Sequence, residues 1–489
     1  MKRKTVIYIF LFVFGAGLFT CLNLKDIEMP YDDAYSVFMM KSSYSDIVRI
    51  TSTDVHPPLY YWGLKAFSSL FGSSAFALRL FSQLGVLAVL LLGCFPIRRF
   101  FGDKVALPFI LLMIIFPVTQ YLVTDIRMYS WAMFFVLACA LSAYDVYRKN
   151  KVCSWLLFFF TGICAAYLHN YGLMSVLGIY ILLLAALIRG KKKWRYLIFC
   201  GILFSIAYLP WAVQLMSQLR DVEADYWIKP LTINDLCLHI YYFYSPKSIW
   251  LPFTYFTKYQ MMVWLILIMF IQLILTLKVL ITGFKEKDKI ICPVVFSFLA
   301  FLFPVLLGGV ISLTSVPILV TRYMTCSFGL FVLGIAFILA KATEYPIYRT
   351  LSYAFVFLLL ITGGVRAYSG VKHYNEIDTA YGQIREFVTK DKEQPVFVVN
   401  SFSYQEMPRV QLIVPNCEYY VLDRDKSTNF EPFVFERIDS IPFHDFILLQ
   451  HDRKDEQREF RLYQAELLKE YSITDSLRIL DICFYKVSK

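Results

Sequence analysis

Long apolar runs separated by short polar segments make up the first three quarters of the chain. A run of about 18 to 25 apolar residues is long enough to cross a hydrocarbon core of about 30 Å as a helix. The pattern predicts eleven membrane spans, near residues 5–24, 76–96, 104–123, 127–147, 152–169, 171–188, 194–213, 259–281, 290–311, 317–340 and 348–366. No small-residue cleavage site follows the first run, "MKRKTVIYIF", so this run is predicted to be an uncleaved span.

The pattern changes at about residue 367. The stretch "HYNEIDTAYGQIREFVTKDKEQPVFVVNSF" predicts an amphipathic helix, a turn and a strand, and "HDFILLQH", "DEQREFRLYQAELLKEYS" and "LRILDICFYKV" continue the alternation. We therefore predict two domains, an all-α transmembrane bundle over 1–366 and a soluble α/β domain over 367–489.

Two of the segments between spans are long. Residues 25–75 include "DVHPPLYYWGLKAFSSLFG", whose apolar residues recur at helical spacing, and residues 214–258 include "LHIYYFYSPKSIW", which is dense in aromatic residues. Tyr and Trp favour the level of the lipid headgroups, and an amphipathic helix can lie in that plane. Both loops are predicted to hold interfacial helices.

The positive charges predict the orientation, because short cytoplasmic loops retain Lys and Arg. With the N-terminus inside, the inner loops "MKRK", "RRFFGDK", "YRKNK", "RGKKKWR", "KVLITGFKEKDK" and "KATEYPIYR" together hold twenty Lys or Arg. We therefore expect a cytoplasmic N-terminus, a periplasmic or other extracytoplasmic C-terminal domain, and a location in the bacterial cytoplasmic (inner) membrane.

Composition agrees with this assignment. The 489 residues are 58% hydrophobic and 18% aromatic, far from the range of a soluble domain. The formal charge of +11 lies mostly in the predicted inner loops, which argues against nucleic acid as a partner. Eleven single cysteines and six histidines without ligand spacing predict neither a disulfide framework nor a dedicated zinc site.

The unusual polar residues are predicted to lie at one height, on the outer side. They are Asp32, Asp33, Asp54 and His56 in the first outer loop, Arg79 in the second span, Asp125, Arg127 and Tyr129 at the start of the fourth, His169 and Tyr171 in "HNYG", and Arg322 and Tyr323 about one turn into the tenth. Ionisable groups are costly inside a membrane unless they face a cavity or a partner. Each residue also has a purely structural explanation. A single arginine can extend to the lipid headgroups, a histidine can be a loop residue with its hydrogen bonds satisfied, and an Asp pair can belong to a solvated turn.

Arginines and a carboxylate at a membrane face suit sugar transfer from a lipid phosphate. The guanidinium fork matches phosphate oxygens, and a carboxylate can take a proton from an attacking hydroxyl. Arginines would stabilise the charge that develops on the phosphate as the glycosidic bond breaks.

At these residues the sequence resembles the GT-C integral-membrane glycosyltransferases, in particular bacterial relatives of protein O-mannosyltransferases (glycosyltransferase family 39) and of the aminoarabinose transferase that modifies lipid A. The resemblance rests on "YDDAYS", "DVHPPLYYW", "DIRMYSWAM", "HNYG" and "VTRYM", in family order over roughly residues 1–366. "HPPLYY" after an acidic first loop is its most specific element. The resemblance implies an inverting transfer from a polyprenyl-phosphate sugar, with a first-loop carboxylate as the base.

Asp32 matches the Asp of the family's usual Asp-Glu pair and is the implied base. Asp33 is a shorter acid than the family's Glu, so it could share the base function, orient His56 or help to hold a divalent cation. His56, by its place in "HPPL", is implied to contact the donor phosphate or to position the loop. Substrate-binding roles are expected for Arg79, Arg127, Tyr129, His169, Arg322 and Tyr323, and the metal stays unassigned.

Two other classes of function stay open. A transporter or flippase for an anionic lipid or solute could also place arginines in a cavity, although no internal repeat is evident. A non-catalytic assembly subunit would leave the polar residues unexplained. The sugar, hexose or pentose, and the acceptor, a glycan, lipid or protein, cannot be assigned from the sequence.

Overall fold

A computed structural model describes residues 2–25, 28–54, 56–221, 228, 230–232, 239, 241–246, 258–390, 395–399, 407–423, 434–437, 441–451, 461 and 464–489. The chain forms two compact units. The helical unit consists of Met1–Leu24, Thr51–Tyr60 and Arg79–Gly370, and the sheet unit of Lys25–Ile50, Tyr61–Leu78 and Val371–Lys489. The predicted boundary at 366/367 stays a prediction, and the sheet unit also takes in two pieces of the first long loop.

Helices dominate the described residues. They are α1 (Lys2–Lys25), α2 (Tyr31–Lys41), α3 (Tyr44–Thr53), α4 (Leu59–Phe71), α5 (Ala75–Leu92), α6 (Arg98–Phe101), α7 (Asp103–Ile115), α8 (Pro117–Thr124), α9 (Tyr129–Lys149), α10 (Val152–Leu168), α11 (Asn170–Arg189), α12 (Arg195–Asp221), α13 (Lys258–Glu286), α14 (Ile291–Thr314), α15 (Phe328–Ala342), α16 (Pro346–Thr389) and α17 (Met407–Ile413). A π-helical turn, Gly93–Ile97, joins α5 to α6, and a 3₁₀ helix, Thr321–Ser327, precedes α15.

Every predicted apolar run overlaps one of these helices, which confirms a mostly helical multi-pass membrane protein. Within the described residues, nine helices are long and apolar enough to cross a membrane, and α7 with α8 makes a tenth if this bent pair is one span. The apolar helix α10 is shorter. The number of eleven spans therefore stays a prediction. The interfacial helices also stay predictions, and those expected in 214–258 fall largely outside the described residues.

The predicted run 104–123 is not one straight helix. Its two halves, α7 and α8, meet at an angle of 61°. Pro117 begins α8, and a proline disfavours helical backbone in the residue before it. Phe116 accordingly has extended backbone, with φ −62° and ψ 127°. The break directs the chain from α8 into the polar turn that begins at Asp125.

The centre of the helical unit is the segment Thr321–Ala342, in which 94% of the most apolar window is buried. In α1 and α12 the corresponding share is 22%, so these helices present most of their apolar surface outward, as lipid-facing helices do.

Ion pairs join the predicted inner loops at one end of the unit: Lys4–Asp103, Arg98–Asp103, Lys104–Glu344, Lys341–Glu344 and Lys341–Asp288.

The sheet unit confirms the predicted C-terminal α/β character. Its strands are β1 (Val396–Val399), β2 (Tyr419–Asp423), β3 (Val434–Arg437), β4 (Asp445–His451), β5 (Ser472–Ile479) and β6 (Ile482–Ser488), in the order β3-β2-β1-β4-β6-β5. The first four are parallel, and β6 pairs antiparallel with both β4 and β5. Leu480 and Asp481, both with positive φ, form the tight turn of the β5–β6 hairpin.

Candidate active site

A cluster of polar and aromatic side chains lies inside the helical unit, and four separate chain segments contribute to it. We call it the polar cluster, and its members are His56, Arg127, Tyr129, His169, Arg322 and Tyr323. Arg127 Nη2 lies 3.5 Å from His56 Nε2, and the His56 and His169 ring centroids are 5.2 Å apart. The Tyr323 ring lies 4.7 Å from His169 and 6.3 Å from Tyr129. The structure thus brings together six of the nine predicted site residues.

Arg127 is placed by the turn between α8 and α9. Its N–H donates to Asp125 O at 2.8 Å, and both side chains are buried. Arg79 supports the same turn, because its Nε donates to Thr124 O at 3.1 Å, at the carbonyl end of α8. A cation at a helix C-terminus is favourable. Arg79, only 1% exposed, thus has a structural contact that favours a positioning role.

His169 lies in the extended residue between α10 and α11 and caps α11. Its Nδ1 accepts the N–H of Tyr171 at 3.0 Å, so the neutral ring carries its proton on Nε2. Nε2 is buried and has no hydrogen-bond partner among the described residues. A cap of this kind requires a sharp turn, and a Cβ at Gly172 would lie 2.2 Å from Ala165 O. The turn therefore leaves a buried N–H donor directed into the cluster.

Arg322 and Tyr323 lie in the 3₁₀ helix that precedes α15 and not in a regular α-helix. This short helix packs against α9, α11 and α14. Just before the 3₁₀ helix, the backbone N–H groups of Ile318 and Leu319 both donate to Ser312 Oγ, each at 2.9 Å. The Arg322 guanidinium carbon lies 5.8 Å from the Tyr323 ring centroid.

The electrostatics of the polar cluster keep His56 neutral. Burial lowers the pKa of His56; Asp54, whose Oδ2 lies 3.6 Å from Nδ1, opposes that shift, and the charges of Arg127 and Arg322 reinforce it. A neutral ring can accept a hydrogen bond at Nε2 from a guanidinium N–H. His56 therefore leaves the cluster's positive charge on the two arginines.

Sequence reasoning missed two residues. Tyr242 is buried, and its burial raises its pKa. The charges of Asp125 and Arg322 shift that pKa in opposite directions, so Tyr242 lies close to both residues and beside the polar cluster. Arg366 is a further buried arginine, one turn beyond Gly363, where an added Cβ would lie 2.2 Å from Ile115 O. The dense tyrosines of "YYFYS" are a sequence signal for Tyr242, and the position of Arg366 at the end of an apolar run is a signal for that arginine.

Asp32 and Asp33, which we call the acid pair, belong to the sheet unit. They occupy the first turn of α2, after Pro30, where a carboxylate interacts favourably with the helix dipole. The Asp33 N–H donates to Pro30 O at 2.9 Å. Asp33 is 1% exposed whereas Asp32 is partly exposed, because neighbouring helical residues point about 100° apart. Of the two, Asp32 is the acid that can be reached.

Within the sheet unit, α2 is fastened by the C-terminal part of the chain. The Met29 N–H donates to Tyr381 Oη at 3.3 Å, just before the acid pair. At the other end of α2, Lys41 is hydrogen-bonded to Gln411 of α17, and α17 packs against α2. The helix that carries the acid pair is therefore held from both ends.

No group of three His, Cys, Asp or Glu side chains within the described part of the chain is arranged to hold a metal ion. A divalent cation at the acid pair thus stays an open expectation.

Comparison with known proteins gives a family match and a fold match. Residues 55–211 match the sequence model of the dolichyl-phosphate-mannose-protein mannosyltransferase family. The fold is similar to the crystal structure of ArnT from Cupriavidus metallidurans in the apo state, with a TM-score of 0.58 and 10% identity over 99% of this chain and 98% of that chain. For the same ArnT bound to undecaprenyl phosphate, the TM-score is 0.56 with 12% identity over 98% of each chain. No curated protein sequence matches the chain.

These findings define the class: the chain is a multi-pass membrane protein with the fold of ArnT, and part of it matches the mannosyltransferase family model. They confirm the resemblance predicted from the sequence, to the mannosyltransferase and ArnT relatives of that class. The matched stretch 55–211 contains His56, Arg79, Arg127, Tyr129 and His169.

Proposed function

We propose that the protein is an inverting glycosyltransferase that moves a hexosyl or pentosyl group from a polyprenyl-phosphate donor to an acceptor on the outer side of the cytoplasmic membrane. The observation that carries the proposal is the polar cluster. It holds two arginines and the buried His169 Nε2–H in a helical membrane unit. Cationic forks and an N–H donor in a low-dielectric site match a lipid phosphate.

The proposed step is a single displacement. The acceptor hydroxyl attacks C1 of the sugar, and the bond between C1 and the phosphate oxygen breaks with its electron pair remaining on the phosphate. Asp32 takes the hydroxyl proton, and attack on the face opposite the leaving phosphate inverts C1. Arg127 and Arg322 stabilise the negative charge that the phosphate gains.

Asp32 rather than Asp33 is proposed as the base because it is the more exposed member of the acid pair. Asp33, at 1% exposure, is proposed to hold the first turn of α2 in place. The ArnT structure with undecaprenyl phosphate supports the donor class, since that relative binds a polyprenyl phosphate within a similar fold.

The test compares cell-envelope glycans and lipids by mass spectrometry in cells with and without the protein. We expect one sugar to be missing from one class of molecule and to return with the native chain. Asp32→Asn, at equal membrane abundance, should fail to restore it, and Asp46→Asn, at an acid whose contacts lie within α3 and its N-terminal flank, should restore it. Proteoliposomes that move an anionic lipid between leaflets without chemical change would overturn the proposal in favour of a flippase.

A further inference from the structure

A cleft of about 510 Å³ lies between α13 and the beginning of α16, in the helical unit. Three apolar side chains, Ile274, Leu277 and Ile281, line it on the α13 side. Lys278, Lys285 and Tyr348 supply its polar lining, together with Thr282 and, at the exposed rim, Glu286. We call this site the lysine cleft.

The lysine cleft lies at the same end of the unit as the predicted inner loops. It sits beside the loop after α13, which the Lys341–Asp288 pair, at 2.8 Å, joins to the last turn of α15. Helix α15 separates this end from the 3₁₀ helix that carries Arg322, and its 15 residues span about 22 Å. The cleft is therefore a different site from the polar cluster.

The two lysines of the cleft are not neutralised. Lys278 Nζ lies 5.0 and 5.2 Å from the ring centroids of Tyr345 and Tyr348, contacts that attract a cation but leave its N–H donors available. Neither Lys278 nor Lys285 has a carboxylate within 4.0 Å among the described residues, whereas the neighbouring Lys341 has two. Apart from Glu286 at the rim, no acidic side chain among the described residues lines the cleft, so a bound anion would complement the two lysines.

The order of residues along α13 matches the polarity of a lipid. Ile274 and Leu277 lie deeper along the helix, and Lys285 lies near its last turn at Glu286. Lysine is a good point-charge partner for phosphate, and basic pockets between spans on the cytoplasmic side bind anionic headgroups. We propose that the lysine cleft binds the phosphate of an anionic glycerophospholipid of the cytoplasmic leaflet, with an acyl chain against Ile274 and Leu277.

The test uses the purified full chain in neutral detergent and measures the shift of Tm with phosphatidylglycerol, phosphatidylcholine, undecaprenyl phosphate or inorganic phosphate. Phosphatidylglycerol should stabilise the native chain more than phosphatidylcholine or inorganic phosphate does. The double variant Lys278→Gln/Lys285→Gln should bind it roughly 30-fold more weakly, since each lysine near an anionic lipid contributes about fivefold to the affinity.

The matched control is Lys287→Gln/Lys289→Gln, which removes the same charge from the adjacent loop but does not line the cleft. It should bind like the native chain, and so should Lys278→Arg/Lys285→Arg, which retains both charges. Equal weakening in the control would show general attraction to anionic lipid and overturn the proposal. Equal stabilisation by inorganic phosphate or by phosphatidylcholine would overturn it as well. Stabilisation by undecaprenyl phosphate should be the same in the native chain and in Lys278→Gln/Lys285→Gln, because that lipid is proposed to bind at the polar cluster; its loss in the double variant would contradict the assignment of the cleft to a glycerophospholipid.

Discussion

His373 Nε2 lies 2.9 Å from Glu28 Oε2, and this contact joins α16 to the residues that lead into the acid pair. On its other side, His373 Nδ1 lies 3.5 Å from Glu376 Oε2, on the same helix. Only the first of these two contacts connects separate parts of the sheet unit. The start of α2 is therefore fixed by a residue from the C-terminal third of the chain.

Replacing Glu28 with Gln should lower the rate of sugar transfer modestly without changing donor affinity, because the first turn of α2 gains freedom while the polar cluster is untouched. A partly exposed ion pair contributes about 1 kcal/mol or less, which corresponds to about fivefold in rate at most. The measurement is kcat and KM for the donor. Glu376→Gln is the control and should leave kcat unchanged; a larger effect there than at Glu28 would contradict the assignment.

Replacing Asp32 with Asn should reduce kcat by roughly 10² to 10⁴, the usual contribution of a general base. Asp33→Asn should instead lower Tm, because its buried side chain serves the local structure of α2. Kinetics and thermal unfolding of both variants separate the two roles. The assignment of the base to Asp32 fails if Asp32→Asn turns over at near-native rate or if Asp33→Asn alone abolishes turnover.

Replacing Arg322 with Ala should reduce kcat/KM for the donor more than for the acceptor, because a phosphate contact belongs to the donor. Loss of a charged hydrogen bond of this kind costs about 1.5–3 kcal/mol, or roughly 10- to 150-fold. Arg189→Ala, at an exposed arginine at the end of α11, serves as the control. Equal losses for both substrates would argue against a phosphate contact.

His56 should make the protein less stable in acid. Its pKa in the folded chain is depressed by burial, so just below the unfolded value near 6.5 the unfolded chain binds more protons. Stability is therefore retained above that value and falls as the pH decreases through this window, by at most about 1.4 kcal/mol per pH unit for one group.

The plot of Tm against pH tests this effect. His56→Gln should flatten its acid side, and Asp54→Asn should steepen it, since Asp54 partly offsets the shift. An identical slope in the native chain and in His56→Gln would show that His56 does not titrate in this way.

Replacing Gly172 with Ala should lower Tm, because the new Cβ would lie 2.2 Å from Ala165 O. Relieving this clash requires a shift of the backbone, which costs free energy of folding. Overpacking of this kind costs about 1–3 kcal/mol. At Gly364, in helix α16, a Cβ would meet nothing within 4 Å, so Gly364→Ala should be neutral or stabilising. Similar Tm changes in the two variants would contradict the tight turn at His169.

The sequence singles out His56, Arg127, His169 and Arg322 because they interrupt apolar or aromatic stretches, where a polar group is costly unless it has a partner or a function. The structure brings these four side chains together, and their roles in binding stay a proposal. The break between α7 and α8 was missed, although Pro117 marks it, because the hydropathy of 104–123 is continuous through the bend. Apolar periodicity reports burial in lipid or protein but not the direction of a helix.

Membership of α2 in the sheet unit could not be predicted. Glu28 and His373 are 345 residues apart, and no local pattern encodes a contact at that distance. The same holds for the sheet order: the strands β1 and β4 could each be predicted from alternation and β-branched residues, but their adjacency depends on packing of the intervening chain.

This separation also sets an order of events during synthesis. At about 5–20 residues per second, a ribosome needs roughly 17 to 70 s to pass from Glu28 to its partner on α16, and longer to reach Gln411. Throughout that interval the nascent chain carries α2 without the groups that fasten it. Maturation of the acid pair is thus a late event, completed only after the last membrane helix has been translated, although its residues are among the first to be made.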